Sequence, residues 1–310
     1  LLSATVTREE AHPAKEAAPR VWTVKELVAW MTDDLRKRGI ESARIDSELI
    51  VAHVLQVDRI KILLSAEREL SADELERIRA LLKRRRTFEP IAYLRGEREF
   101  YGHRFLVDGR VLVPRPDTET LVEVALKRLI GRELSGRVLD LCTGSGCVAI
   151  SLKLERPTIT VDAVDVSRDA LAVARDNAQR LGAVWNVSFA EGDLFTPLPS
   201  RPYDLVTANP PYIASAEVPT LQRDVADHEP RLALDGGDDG LAIVRRIVDE
   251  APRWLRAGGA LAMEVGAGQA DEVRALFASR DFSDVRVARD YGGIDRVVSG
   301  IWPAPTTKSP

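Results

Sequence analysis

Apolar positions along this 310-residue chain follow two different periods, and the change falls near residue 90. From Val24 to Arg86 they recur at helical spacing. Thr23 with Glu26 three residues later is a capping-box pattern that opens a helix over Val24–Arg38, and Gly39 closes it. Leu49, Ile50, Val54 and Leu55 predict a second helix over Asp46–Leu55. A short third follows at Arg59–Leu64. Ser71, with Glu74 at the third position, opens a fourth over Ala72–Arg86. Four short helices with no strand between them predict a small helical bundle over residues 21–90.

Beyond Pro90 the pattern turns β-rich, through Ile91–Leu94, Glu97–Val107 and Val111–Val113. Gly102 between two such runs predicts a hairpin, here a linker over residues 91–114. Residues 115–302 then alternate. A helix over Asp117–Ile130 precedes seven strands: Arg137–Leu141, Thr160–Asp165, Val187–Ala190, Asp204–Ala208, Ala260–Val265, Val285–Arg289 and Arg296–Gly300. Helices fall between them at Cys147–Glu155, Arg168–Leu181, Leu241–Leu255 and Gly268–Ser279. Such alternation predicts an α/β domain with a mainly parallel sheet covered on both faces. Residues 1–20 and 303–310, rich in Ala, Glu and Pro, read as a disordered start and a flexible tail, and the start lacks the pattern of a signal peptide.

Composition narrows the class. At 45% hydrophobic and 30% charged residues, with no apolar run near the ~20 residues of a membrane span, the chain reads as soluble and cytoplasmic. Cys142 and Cys147 sit in one motif without a neighbouring His, and His12, His53, His103 and His228 are scattered. No zinc site, disulfide framework or other metal centre is expected. Net charge is −4, and residues 21–110 carry 18 basic and 16 acidic side chains, so the acidity lies in the second half. That disfavours a nucleic-acid binder. Arg77, Arg79, Lys83, Arg84, Arg85 and Arg86 are the local exception. They suit either a solvated helix end that complements the dipole or a contact for RNA or an acidic partner.

The candidate chemistry lies at strand ends. Val138–Leu141 runs into Cys142-Thr143-Gly144-Ser145-Gly146 and then a helix. Glycine lets a ligand approach the backbone, and the first such turn of an open α/β sheet borders the ligand crevice. The loop fits neither the dinucleotide fingerprint nor a Walker loop. Asp165 ends the second strand, about 20 residues after the loop, where an acid reaches ribose hydroxyls; a surface helix cap is the plainer alternative. Asp193 and Leu194 end the third strand, where they suit an adenine amine and a base pocket, or an ordinary turn. Asn209-Pro210-Pro211-Tyr212 follows the fourth. Two prolines make a stiff rim without backbone donors, and an Asn amide can hold a planar –NH₂ by accepting from it. The same four residues also suit a simple turn. Together the set reads as a nucleoside site with a rim aimed at an amine, as an S-adenosylmethionine-dependent N-methyltransferase requires.

Val113-Pro114-Arg115-Pro116-Asp117-Thr118-Glu119, the Asn-Pro-Pro-Tyr rim, His228-Glu229-Pro230-Arg231-Leu232-Ala233-Leu234 and Asp290-Tyr291-Gly292-Gly293-Ile294-Asp295-Arg296 occur in the order found in the HemK/PrmC family, which the chain resembles over about residues 22–300. These are the release factor N5-glutamine methyltransferases. The resemblance implies a class I, Rossmann-like methyltransferase sheet of seven strands. It implies S-adenosylmethionine contacts by Arg115, Pro116, Cys142, Thr143, Gly144, Ser145, Gly146, Asp165, Val166, Asp193, Leu194 and Asn209, with S-adenosylhomocysteine as product. It also implies that Asn209, Pro210, Pro211 and Tyr212 hold a substrate glutamine from a Gly-Gly-Gln loop. Cys142 stands where many members have Gly. A sister subgroup that acts on a large-subunit ribosomal protein shares the first loop, whereas Arg-Pro-Asp-Thr-Glu favours the release-factor subgroup.

The expected mechanism is in-line attack of the amide nitrogen on the methyl. Asn209 and the Pro210 carbonyl accept from the two N–H groups, Tyr212 packs alongside, and the helical domain grips the release factor. An adenine-N6 methyltransferase uses a similar rim but needs base flipping and a basic groove. A monomer without membrane or nucleic-acid partners is expected.

Overall fold

A computed structural model describes residues 21–132, 134–198 and 202–303. Residues 1–20 and 304–310, named above as disordered ends, lie outside the described residues. The chain divides after Leu82 into two compact units.

The first unit is helical: α1 (Val24–Lys37), α2 (Ala43–Leu55), α3 (Arg59–Leu64) and the start of α4 (Ala72–Arg85). Both predicted capping boxes form. Thr23 Oγ1 accepts from Glu26 N at 3.3 Å and Glu26 Oε2 accepts from Thr23 N at 3.1 Å. Ser71 and Glu74 make the same reciprocal pair at 3.2 and 2.9 Å. Leu27, Met31 and Leu35 of α1 and Ile50, Val51 and Val54 of α2 are buried. Helix α2 starts three residues earlier than predicted. Its first turns bury Asp46, Ser47 and Glu48, which breaks the apolar stripe that the sequence reading depends on.

The second unit opens on a correction. Ile91–Arg95 is a short helix, α5, not part of a β-rich run; it starts after Pro90, and Gly96, at φ +72°, ends it. The hairpin is β1 (Glu97–Phe100) with β2 (His103–Leu106), turned through Tyr101 and Gly102, both at positive φ. Val111–Val113 is not a strand. The segment is largely buried and Tyr93 Oη donates to the Val111 carbonyl at 2.5 Å, but Pro114 follows and no neighbouring strand pairs with it. The basic stretch is also not a free patch. Arg84 grips the Glu89 carboxylate through two hydrogen bonds, and Arg85 is buried with Nη1 on the Glu89 carbonyl at 3.1 Å.

There follow α6 (Glu119–Arg128), β3 (Arg137–Leu141), α7 (Cys147–Glu155), β4 (Thr160–Asp165), α8 (Arg168–Arg180), β5 (Val187–Glu191), β6 (Tyr203–Ala208), α9 (Arg223–Ala226), α10 (Ala242–Glu250), β7 (Leu255–Glu264), α11 (Ala270–Ser279), β8 (Ser283–Arg289) and β9 (Asp295–Ile301). The seven strands form one sheet in the order β5-β4-β3-β6-β7-β9-β8. The first five run parallel; β9 pairs antiparallel with β7 and with β8. Every residue of β6 is buried, the pattern of a strand covered on both faces.

Some boundaries differ from the reading. Helix α6 starts later because Pro116–Thr118 forms a tighter 3₁₀ turn. Strand β7 begins at Leu255, five residues early, carried across Gly258 and Gly259. Helix α9 was not foreseen; four residues are too few to show a period. The chain moves outward from β3 through β4 to β5 and then returns to β6 on the other side of β3. The carboxyl ends of β3 and β6 therefore flank the switch point, where open α/β sheets bind ligands.

Candidate active site

A cavity of about 360 Å³ opens at that switch point. Of the residues named from sequence, Arg115, Cys142, Thr143, Gly144, Ser145, Asp165, Val166, Asp193, Leu194, Asn209 and Pro211 line it. Pro116, Gly146, Pro210 and Tyr212 do not line it. Thr118, Asp140, Cys147 and Arg246 line it as well, beyond the site residues expected from sequence.

The loop after β3 is fixed from below. Thr143 Oγ1 donates to Asp140 Oδ2 at 2.6 Å, and Thr207 Oγ1 on β6 donates to Asp140 Oδ1 at 2.7 Å. Burial raises the Asp140 carboxyl to about 6, and the two hydroxyls oppose that rise. Gly146 caps α7 at φ +79°, and an added Cβ would meet Ile150 Cδ1 at 2.9 Å and Ala174 Cβ at 3.2 Å. Cys142 sits at φ +55°, the left-handed region that favours glycine. The left-handed backbone suits the glycine of other members and is adopted here by a cysteine, for which nothing in the structure gives a reason. Burial pushes both cysteine thiols up, Cys147 to about 12, so neither is a thiolate at neutral pH. Asn177 of α8 ties the hairpin to the loop, with Nδ2 on the carbonyls of Leu106 (3.1 Å) and Ser145 (3.0 Å).

Asp165 is spared the duty of capping α8, because Ser167 Oγ accepts from Ala170 N at 3.1 Å. Its carboxylate instead accepts from Gly144 N (2.8 Å) and Ser167 N (2.9 Å), leaving lone pairs toward the cavity. Burial raises its pKa, and the backbone bonds oppose the rise. Asp193 is already engaged: Arg246 Nη2 of α10 donates to it at 2.8 Å. Sequence gave no signal for that arginine, which lies on an ordinary amphipathic helix.

Three segments far apart in sequence are tied to one another and, through Thr118, to the rim. Asn209 Nδ2 donates to Thr118 Oγ1 at 3.3 Å. Arg115 Nη2 donates to Glu229 Oε1 at 2.6 Å. Arg296 on β9 approaches Asp117 at 3.4 Å, pairs with buried Asp290 at 3.0 Å and donates to the Val265 carbonyl at 3.4 Å. Tyr212 Oη donates to Glu264 Oε1 at 3.1 Å, and Gln269 Nε2 donates to the Tyr212 carbonyl at 2.9 Å. The Pro-Arg-Pro-Asp-Thr-Glu segment thus bonds the Asn-Pro-Pro-Tyr loop through Thr118, and the His-Glu-Pro-Arg and Asp-Tyr-Gly-Gly-Ile-Asp-Arg segments are tied in turn to that segment through Arg115 and Asp117. Gly236 and Gly240 pack on its backbone; a Cβ on Gly240 would meet the Tyr212 carbonyl at 2.3 Å.

The donor set fits S-adenosylmethionine. A glycine loop admits backbone approach, Asp165 offers acceptors for a diol, and Val166, Leu194 and Ile243 supply an apolar wall for a base. Asp140 and Asp165 give the cavity acidic ground suited to a cationic ligand.

Residues 26–96 match the PrmC N-terminal domain family, and residues 117–238 match the methyltransferase small domain family. The chain is 42% identical over 282 residues to the release factor glutamine methyltransferase of Geobacter sulfurreducens, covering 91% of this chain and 98% of the relative. It is 43% identical over 288 residues to that of Chlorobaculum tepidum, covering 90% and 97%. Among solved structures it is similar to a release factor-specific protein-(glutamine-N5) methyltransferase from Alicyclobacillus acidocaldarius, with 34% identity, 62% of this chain and 95% of that one covered, and a TM-score of 0.40.

Proposed function

The chain belongs to the release factor glutamine methyltransferase family, and on that premise we propose that it methylates the side-chain nitrogen of the glutamine in the Gly-Gly-Gln loop of a peptide-chain release factor, with S-adenosylmethionine as donor. The observation that carries this reading is the bracing of Asn209. Its Nδ2 is occupied by Thr118, which leaves Oδ1 as the acceptor on the cavity side.

When bound, the donor supplies an electrophilic sulfonium methyl. Thr143, Gly144, Ser145, Asp165, Val166 and Leu194 would hold it, and Arg115 and Asn209 would border it. An amide nitrogen is a weak nucleophile because its lone pair is delocalised into the carbonyl. Asn209 Oδ1 and the Pro210 carbonyl accept from its two N–H groups and turn the lone pair toward the methyl. The prolines keep that carbonyl still. Tyr212, held by Glu264 and Gln269, fixes the far end of the rim. Catalysis is chiefly positioning, worth roughly 7–11 kcal/mol in favourable systems.

The helical unit contacts the release factor away from its glutamine, and the enzyme acts as a cytoplasmic monomer without nucleic acid. No helix among the described residues is long and apolar enough to cross a membrane. Purified protein, incubated with labelled S-adenosylmethionine and, in separate reactions, release factor, large-subunit ribosomal protein and DNA, tests the substrate. Label is expected in release factor. Label confined to either of the others would replace this reading.

A further inference from the structure

Arg246 lines the cavity and has no part in the mechanism above. It lies on α10, where Val244, Ile247 and Val248 are buried, while Ile243 and Arg246, three positions apart and so on one face, reach the cavity. The preceding Arg245 is drawn elsewhere, to Asp239 and Glu272. Arg246 Nη2 instead donates to Asp193 Oδ2 at 2.8 Å. Neither side chain makes another hydrogen bond among the described residues, so Asp193 Oδ1 stays open as an acceptor. Both are about half exposed, where an ion pair adds little to stability, so holding the fold does not account for this one. The turn that carries Asp193 is firm. Thr196 N and Oγ1 donate to the Asp193 carbonyl at 3.1 and 2.7 Å, Gly192 N donates to the Asp165 carbonyl at 3.0 Å, and buried Phe195 stacks on Trp254 with ring centroids 5.6 Å apart. No aromatic side chain lines the cavity among the described residues; Val166, Leu194 and Ile243 form its apolar wall. Aliphatic walls hold one purine much like another, so the choice of base falls on the polar groups.

We propose that Arg246 is a positioning residue that sets base specificity: by holding Asp193 Oδ2 it aims Oδ1 at the exocyclic amine of the donor's adenine, so the site takes a 6-amino purine and rejects a 6-oxo one. The inference rests on S-adenosylmethionine being the donor, as read above. It follows from hydrogen-bond polarity. Adenine offers N–H donors at position 6, and a carboxylate only accepts. A 6-oxo purine carries a carbonyl oxygen there, which meets Oδ1 with no proton between them. Without Arg246 the half-exposed carboxylate is free to turn into solvent. The amine then loses its fixed acceptor, the carbonyl loses its fixed opponent, and the two bases are told apart less well.

The test is calorimetric binding of S-adenosylhomocysteine and of its 6-oxo counterpart, S-inosylhomocysteine, to wild type, Arg246→Met, Arg246→Lys and Asp193→Asn. Thermal melting of each ligand-free protein checks the fold, and Arg246→Ala stands in for Arg246→Met if that variant melts early. Wild type is expected to prefer the adenosyl ligand by roughly 10²-fold or more, as a site built to hydrogen-bond one group rejects its replacement. Arg246→Met is expected to lower that preference by roughly 10-fold, the scale of one hydrogen bond to a charged group. Arg246→Lys, which returns a cation to Asp193, is expected to recover most of the preference, a rescue that a merely structural role would not give. Asp193→Asn offers an N–H to the 6-oxo group and is expected to bring the two ligands near parity. Equal affinities in wild type, or a wild-type preference in folded Arg246→Met or Arg246→Ala, would overturn this inference alone. Failure of wild type to bind either ligand would overturn the cofactor reading and this one together.

Discussion

Replacing Asn209 with Ala removes one acceptor from the substrate side of the rim and one donor from Thr118. The two losses are separable in size. The Nδ2 bond to Thr118, 3.3 Å and partly buried, is an ordinary neutral bond worth about 1 kcal/mol. For a domain of this size that lowers Tm by only ~2–4 °C. The acceptor counts for more, because it is preorganised before the reaction and aimed where positive charge develops on the nitrogen. Loss of one such partner costs ~10²–10³ in kcat. The Pro210 carbonyl remains in place, so the lower end, ~10²-fold, is expected. Cofactor affinity should change little, since the glycine loop and Asp165 are intact. Single-turnover transfer of labelled methyl to release factor isolates the chemical step, and calorimetry reports cofactor binding. A variant that keeps its rate within a few-fold, or one that loses cofactor binding in proportion to rate, would refute the positioning argument.

Three further changes probe the supports. Asp165→Ala removes the charged acceptor that also holds Gly144 N, and should weaken S-adenosylmethionine binding by ~10- to 100-fold, on the scale of hydrogen bonds to charged groups; an unchanged Kd by calorimetry would remove Asp165 from the cofactor site. Arg296→Met leaves buried Asp290 with the N–H groups of Gly292 and Ile294 but without its cation, which should cost roughly 3–5 kcal/mol of stability in denaturant titration; a loss below about 1 kcal/mol would mean that the pair contributes little to the fold. Gly146→Ala forces a Cβ against Ile150 and Ala174 at a left-handed φ and should destabilise by roughly 1–3 kcal/mol, and wild-type thermal stability would contradict the loop geometry.

The sheet was legible because its central strands are covered on both faces and so appear as apolar runs, as in Asp204–Ala208. The cofactor loop and the rim were legible because their odd residues, glycines and paired prolines, lie where such strands stop. Partnerships were not. The pairing of Arg115 with Glu229 spans 114 positions, and no local pattern announces it. Thr118 read as a helix-start residue and proved to be the hydroxyl behind Asn209. Glu264 read as the end of an apolar strand; only burial reveals that its carboxyl faces Tyr212. Asp193 was assigned to adenine without sight of Arg246, whose guanidinium reaches it from α10. The short helices α5 and α9 escaped because one turn shows no period.

The most direct measurement is peptide mapping by mass spectrometry of a bacterial release factor incubated with this protein and S-adenosylmethionine. The account predicts a single added methyl, on the side-chain nitrogen of the Gly-Gly-Gln glutamine and absent when the cofactor is omitted. A methyl on any other residue, or none while calorimetry shows the cofactor bound, would contradict it.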